Sequence, residues 1–203
     1  MNSIRSQVTQ SLIIQKSEFI GILVPLQSKQ EIVTKLEQVK QQYPNATHYC
    51  YAYIYDQKKY CSDDGEPSGT AGMPILNVLE KRSLNHILCI VVRYFGGIKL
   101  GAGGLVRAYT KASTQVLMQA ELTEIRKGYR IQCTFPYLHT KQINYLLKTA
   151  TIVTKQFTEV VTYQFTIDTT QWEQIADALN PLCNQCRIIN ELWLPISQNK
   201  TEK

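Results

Sequence analysis

Two short stretches hold most of the residues able to do chemistry. Eight of the ten glycines fall between Gly65 and Gly72 or between Gly96 and Gly104, and each stretch has its own charge. The first, Ser62-Asp63-Asp64-Gly65-Glu66-Pro67, places three carboxylates within four residues, enough to hold Mg²⁺ through a few oxygens or to serve as general acid and base. The same carboxylates could instead cap backbone N–H groups, pair with Arg93 and Lys99, or meet a partner or RNA. The second, Arg93-Tyr94-Phe95-Gly96-Gly97-Ile98-Lys99, is basic and runs on through Gly101, Gly103 and Gly104 toward a helix carrying Arg107 and Lys111. Glycine serves chiefly where backbone must take a positive φ or touch something closely. A glycine-rich turn that opens a helix presents free N–H groups at the positive end of the helix dipole, a site for phosphate. Arg107 in the first turn of that helix is electrostatically awkward unless an anion sits nearby, and Lys99 adds a flexible point charge. Together the loops suggest one ligand site, lined also by His48, Ser68, Thr70 and Tyr94.

Standard nucleotide motifs do not fit. Gly96 and Gly101 are five apart, as in a Walker A loop, but Ala102-Gly103 follows where Lys-Ser/Thr is required. Gly101-Ala102-Gly103-Gly104 lacks the third glycine of GxGxxG. No cysteine or serine nucleophile with its base is identifiable by spacing, so no hydrolase triad is expected. His48 is a candidate acid–base group or a histidine hydrogen-bonded within the site. These absences favour a binding role over a catalytic one, with no cofactor required and Mg²⁺ as the one candidate.

The elements that must position these residues are legible in outline. Val8 to Leu26 reads as a strand pair broken at Gln15-Lys16-Ser17, and Ser28 is placed to cap a helix over 29–42 with Ile32, Val33, Leu36 and Val39 at helical spacing. Tyr49 to Tyr55 reads as a strand, and the unbroken apolar run Ile87 to Val92 as a central one. Between them lie the acidic loop and a short helix near 73–81. The basic loop leads into a helix near 105–122 with an apolar stripe of Leu105, Ala108, Tyr109, Ala112, Val116 and Ala120; Arg107 and Lys111 lie on the opposite side. Beyond Arg126 the order is strand, helix, two strands, helix, strand: the βαββαβ, ferredoxin-like pattern. The chain is thus expected to be α+β, with domains over 1–125 and 126–197 and a frayed polar tail over 198–203.

The net charge of +6 is localised. Residues 81 to 120 carry Lys81, Arg82, Arg93, Lys99, Arg107 and Lys111 and no Asp or Glu, while the rest balances sixteen cations against sixteen anions. A local positive field favours phosphate, nucleic acid or an acidic partner. No run approaches the roughly 18 apolar residues of a membrane span and the N-terminus lacks an apolar signal core, so a soluble, cytoplasmic protein is expected. The six cysteines are read as reduced and mostly buried. Cys183-Asn184-Gln185-Cys186 is a lone CxxC with half the ligands a zinc site needs.

The chain resembles the YigZ/IMPACT family. The resemblance lies in Ala46-Thr47-His48, Ala52-Tyr53, the run Ser62 to Leu76 and the run Val92 to Tyr109, with Lys16-Ser17-Glu18-Phe19-Ile20-Gly21 upstream. It implies an N-terminal two-layer α/β sandwich like domain IV of elongation factor G and a ferredoxin-like domain like its domain V, architectures that meet RNA on the ribosome. Eukaryotic relatives act in translational control by competing for an activator of a starvation-sensing kinase; they do so with a different N-terminal recognition domain, so that partner is not expected here. The expectation is a cytoplasmic RNA-binding or ribosome-associated regulator using Arg93, Lys99, Arg107 and Lys111 against phosphates. Its rivals are a metal-assisted enzyme on a phosphate-bearing substrate and a module that docks an acidic protein.

Overall fold

The computed structural model describes residues 1–196. The polar tail expected over 198–203 lies outside the described residues. The chain folds as two compact units, Met1–Glu124 and a second beginning at Ile125, each mixing helix and sheet.

The first unit is built on an antiparallel sheet. Strands β2 (Val8–Ile14) and β3 (Ser17–Pro25) form a hairpin whose two turn residues, Gln15 and Lys16, both take positive φ, at 44° and 65°. That is the turn whose twist matches paired strands, here made without glycine. Strands β4 (His48–Tyr55) and β5 (Lys58–Ser62) repeat the device with Asp56 and Gln57. Strand β6 (Ile87–Tyr94) lies in the middle, giving the order β2-β3-β6-β4-β5. A short β1 (Asn2–Ile4) pairs with Leu122, Thr123 and Glu124. Helices α1 (Glu31–Gln42), α2 (Gly72–Lys81) and α3 (Gly101–Met118) complete the unit.

The expectation of two layers is corrected here. Helices α2 and α3 cover one face of the sheet, over Phe19, Leu23, Cys50, Ala52, Cys89 and Val91. Helix α1 covers the other, its Ile32 and Val39 against Ile20, Ile22, Val24, Leu88 and Ile90. The reason is visible in β3 and β6: both are apolar at nearly every position, and a strand of that kind needs cover on both faces. Capping also departs from expectation. Helix α1 begins at Glu31, and Ser28 contributes its backbone carbonyl to Glu31 N–H, with no side-chain cap on the helix.

The second unit contains β7 (Leu122–Phe135) from Ile125 onward, α4 (Thr140–Leu146), β8 (Thr151–Phe157), β9 (Val161–Asp168), α5 (Thr169–Leu179) and β10 (Gln185–Pro195). The strands run β10-β7-β9-β8, every neighbour antiparallel, which is the split-βαβ order. Phe135, Tyr163, Phe165 and Ile143 centre its core. Cys133, Cys183 and Cys186 are free thiols packed in or against that core.

Candidate functional site

Sheet register assembles the centre of the site. Arg93, at the end of β6, is the cross-strand partner of His48 on β4 and of Phe19 on β3. Directly opposite residues of antiparallel strands project from the same face, so these three side chains form one row. Strand β5 ends at Ser62 and delivers the acidic loop beside that row. Helix α3 then lays Tyr109 over it, edge-on to Phe19 with ring centroids 5.3 Å apart.

Each carboxylate of the loop is taken by a partner of its own. Asp63 accepts from three backbone N–H groups, Gly69 at 2.8 Å, Ala71 at 2.9 Å and Gly72 at 2.8 Å, and so caps the start of α2 from eight residues away in sequence. Burial pushes its carboxyl up, but the three N–H donors outweigh that and hold it below the ordinary value. Asp64 accepts the Tyr49 N–H at 2.6 Å. Glu66, almost wholly buried, accepts Arg93 Nη1–H at 2.6 Å and the Tyr109 hydroxyl at 2.8 Å. Among the described residues no three or more His, Cys, Asp or Glu converge as a metal-binding group. A cation at Asp63, Asp64 and Glu66 would have to displace these donors.

Arg93 therefore does not serve the role first expected of it. Only 5% of it is exposed, its guanidinium lies 5.3 Å from the Phe19 ring centroid and 5.4 Å from that of Phe95, and its charge is matched by Glu66. It cannot face a phosphate in solvent. His48 joins the cluster from the rim. Its Nδ1 lies 2.8 Å from the Asp64 carbonyl, which can only accept, so Nδ1 carries the proton and Nε2 turns toward Glu66, 3.9 Å away. Cys50 Sγ sits 2.9 Å from the Asp63 carbonyl oxygen and 3.3 Å from the Tyr109 hydroxyl, and burial above all pushes its thiol up to about 12. Burial, with Cys50 and Glu66 nearby, also raises the Tyr109 hydroxyl. Tyr109 and Cys50 were not expected in the site. Both sit in apolar patterns, and the one available signal was a hydroxyl on an otherwise greasy helix stripe.

The basic half is separate in character. Helix α3 starts at Gly101, four residues earlier than its apolar stripe suggests, so Gly101, Gly103 and Gly104 form its first turn and Arg107 falls in the second. Gly101 has φ +67°, and no side chain caps the helix; Gly101, Ala102 and Gly103 are exposed. Gly96 is required by contact: a Cβ there would overlap the Lys16 carbonyl in the β2–β3 turn. Lys99, Arg107 and Lys111 are exposed and make no ion pair among the described residues. Arg107 and Lys111 flank a shallow groove with Ile14, Gln15 and Leu100. Of the remaining residues named from sequence, the Thr70 hydroxyl donates to Pro67 C=O within the acidic turn, the Tyr94 hydroxyl donates to Pro44 C=O, and Ser68 is exposed. The two loops are thus one structure tied by the Arg93–Glu66 pair. The carboxylates of the first are engaged within that structure, while Lys99, Arg107 and Lys111 of the second are exposed.

Comparison with known proteins falls on this same region. The Impact N-terminal domain matches residues 15–117, which include His48, Glu66, Arg93, Lys99, Tyr109 and Lys111. IMPACT family member YvyE of Bacillus subtilis is 47% identical over 126 residues, 61% of this chain and 58% of that protein. IMPACT family member YigZ of Escherichia coli is 40% identical over 134 residues, 62% of this chain and 65% of that protein. The matches thus span less than two thirds of the length of each of these relatives. A crystal structure of a hypothetical protein, 29% identical, superposes with a TM-score of 0.62 and covers 97% of both chains. No helix among the described residues is long and apolar enough to cross a membrane.

Proposed function

This chain belongs to the IMPACT family, and from that premise we propose that it is a cytoplasmic RNA-binding or ribosome-associated regulator of translation. Phosphates are contacted by Lys99, Arg107 and Lys111 around the exposed start of α3. In this reading the second unit, with its β10-β7-β9-β8 sheet, is the counterpart of domain V of elongation factor G and the first unit that of domain IV. The observation that carries the proposal is the charge around α3: Lys99 just before it and Arg107 and Lys111 within it are exposed and without an ion-pair partner among the described residues, the helix start has no side-chain cap, and residues 81–120 carry no carboxylate. An uncompensated positive end of that kind is neutralised by phosphate. The buried Glu66–Arg93–Tyr109 cluster holds the loop that leads into α3.

The test is binding of a single-stranded 20-nucleotide RNA by fluorescence anisotropy, with ribosome cosedimentation alongside, at 50 and 200 mM salt. Three phosphate contacts give a log–log salt slope of about −2, or a loss of about twentyfold over that range. Lys99→Ala, Arg107→Ala and Lys111→Ala together should remove most of that slope. Binding that ignores salt, or survives the triple substitution, refutes the mechanism.

A further inference from the structure

A second surface of the first unit lies at the far ends of α2 and α3. There the two helices leave a groove of about 400 Å³ with an apolar floor that includes Val78, Leu117, Met118 and Leu122. Met118 is 69% exposed and Leu122 46% exposed, so the floor is open to solvent. Lys81 and Arg82, where α2 ends, form its rim.

The charges around the groove do not cancel. The carboxylates nearest in sequence are Glu80 and Glu121, and each is already engaged: Glu80 Oε1 lies 2.7 Å from Lys59 Nζ, and Glu121 Oε1 lies 2.8 Å from Arg5 Nε. Lys81 and Arg82 are exposed and have no ion-pair partner among the described residues. An apolar floor beneath a cationic rim is complementary to a helix carrying aliphatic residues on one face and carboxylates along its edge. RNA would satisfy Lys81 and Arg82 but would leave the methionine and leucine floor wet.

We propose that this groove docks an acidic amphipathic helix of a partner protein, its aliphatic face on Met118, Leu117 and Leu122 and its carboxylates on Lys81 and Arg82. This surface is independent of the phosphate contacts at the other end of α3.

The probe is a fluorescein-labelled helical peptide of Leu and Glu in a heptad pattern, compared by anisotropy with the same peptide bearing Lys for every Glu, using the full chain. The Glu peptide should bind and the Lys peptide should not. Lys81→Glu with Arg82→Glu should weaken the Glu peptide at least tenfold and transfer preference to the Lys peptide. Met118→Asp, at an exposed position, should weaken binding at least tenfold, with circular dichroism unchanged. Replacing Lys99, Arg107 and Lys111 by Ala should leave peptide binding intact while reducing RNA binding, which separates this surface from the other. Failure of the Glu peptide to bind, equal binding of both peptides, or binding that survives Lys81→Glu with Arg82→Glu overturns the proposal. So does a dimer in sedimentation that Met118→Asp dissolves, because the groove would then be filled by a second copy of this chain.

Discussion

Replacing Glu66 by Gln isolates the interaction on which the architecture of the site turns. The side chains of Arg93 and Glu66 are 6% and 4% exposed, and their closest atoms are 2.6 Å apart. Gln keeps the shape and can still accept from the Tyr109 hydroxyl, but it leaves the Arg93 guanidinium buried with no counter-charge. Removing one partner of a buried ion pair costs about 3–5 kcal/mol. Arg93 retains a 3.4 Å contact with Ser17 Oγ and the faces of Phe19 and Phe95, so the lower end, about 3 kcal/mol, is expected. With a urea m-value of about 2 kcal/mol/M, the midpoint of the first unit should fall by about 1.5 M. Both tryptophans, Trp172 and Trp193, lie beyond residue 125, so their emission follows the second unit and amide exchange along β6 must follow the first. The partner experiment is Arg93→Met, singly and combined with Glu66→Gln. Since the double variant buries no unpaired charge, it should be more stable than the sum of the single effects by at least about 2 kcal/mol. A Glu66→Gln loss below about 1 kcal/mol, or strict additivity, would show that water screens the pair and that the loops are held by other contacts.

Two further outcomes follow from the same geometry. Asp63→Asn sets an amide NH₂ against at least one of the three N–H donors at the start of α2, and should cost about 2 kcal/mol at pH 7 in urea unfolding. Because the folded carboxyl of Asp63 sits below its unfolded value of 3.8, its contribution is present above that pH and is lost as pH falls through the folded value. The gap between the two proteins should therefore close below about pH 4; a gap constant from pH 7 to pH 3 refutes the role. Gly96→Ala places a methyl into the Lys16 carbonyl and must displace the β2–β3 turn. It should lower thermal stability by more than Gly97→Ala, where a Cβ meets nothing within 4 Å and the cost is that of φ +85° alone; equal effects would mean that the turn yields freely.

Elements with a clean period were legible. The apolar run of β6 states a covered central strand, the stripe of α3 states which of its faces is buried, and the βαββαβ order of the second unit follows from pattern alone. What pattern could not give was which helix covers which face of the sheet: β3 and β6 are apolar at nearly every position and so call for cover on both faces, but such a run does not say what supplies it. The short β1 and β5 were equally silent: the first is three residues held by pairing with the 122–124 segment, and the second is polar and exposed along most of its length.

The site was harder to read because charge type and charge availability are different properties. Composition places Arg93, Lys99, Arg107 and Lys111 in one class. Folding divides them, since Arg93 is fixed by strand register at the centre of the sheet, where an unpaired guanidinium is untenable and Glu66 must follow it inside. The same holds for the carboxylates: a sharp turn with Gly65 at φ +86° and Asp64 at φ +41° forces Asp63 back onto the backbone of its own loop. Once those groups are spent internally, the exposed cations of residues 81–120 fall into two sets, Lys99, Arg107 and Lys111 from the start of α3 to its middle, and Lys81 and Arg82 at the end of α2. Lys99 precedes the exposed first turn of α3, Arg107 and Lys111 follow on its exposed surface, and Lys81 and Arg82 rim a floor with exposed methionine and leucine. The first setting suits a polyanion and the second an amphipathic acid, so the six cations that look like one patch in the sequence are one buried arginine and two surfaces with different chemistry.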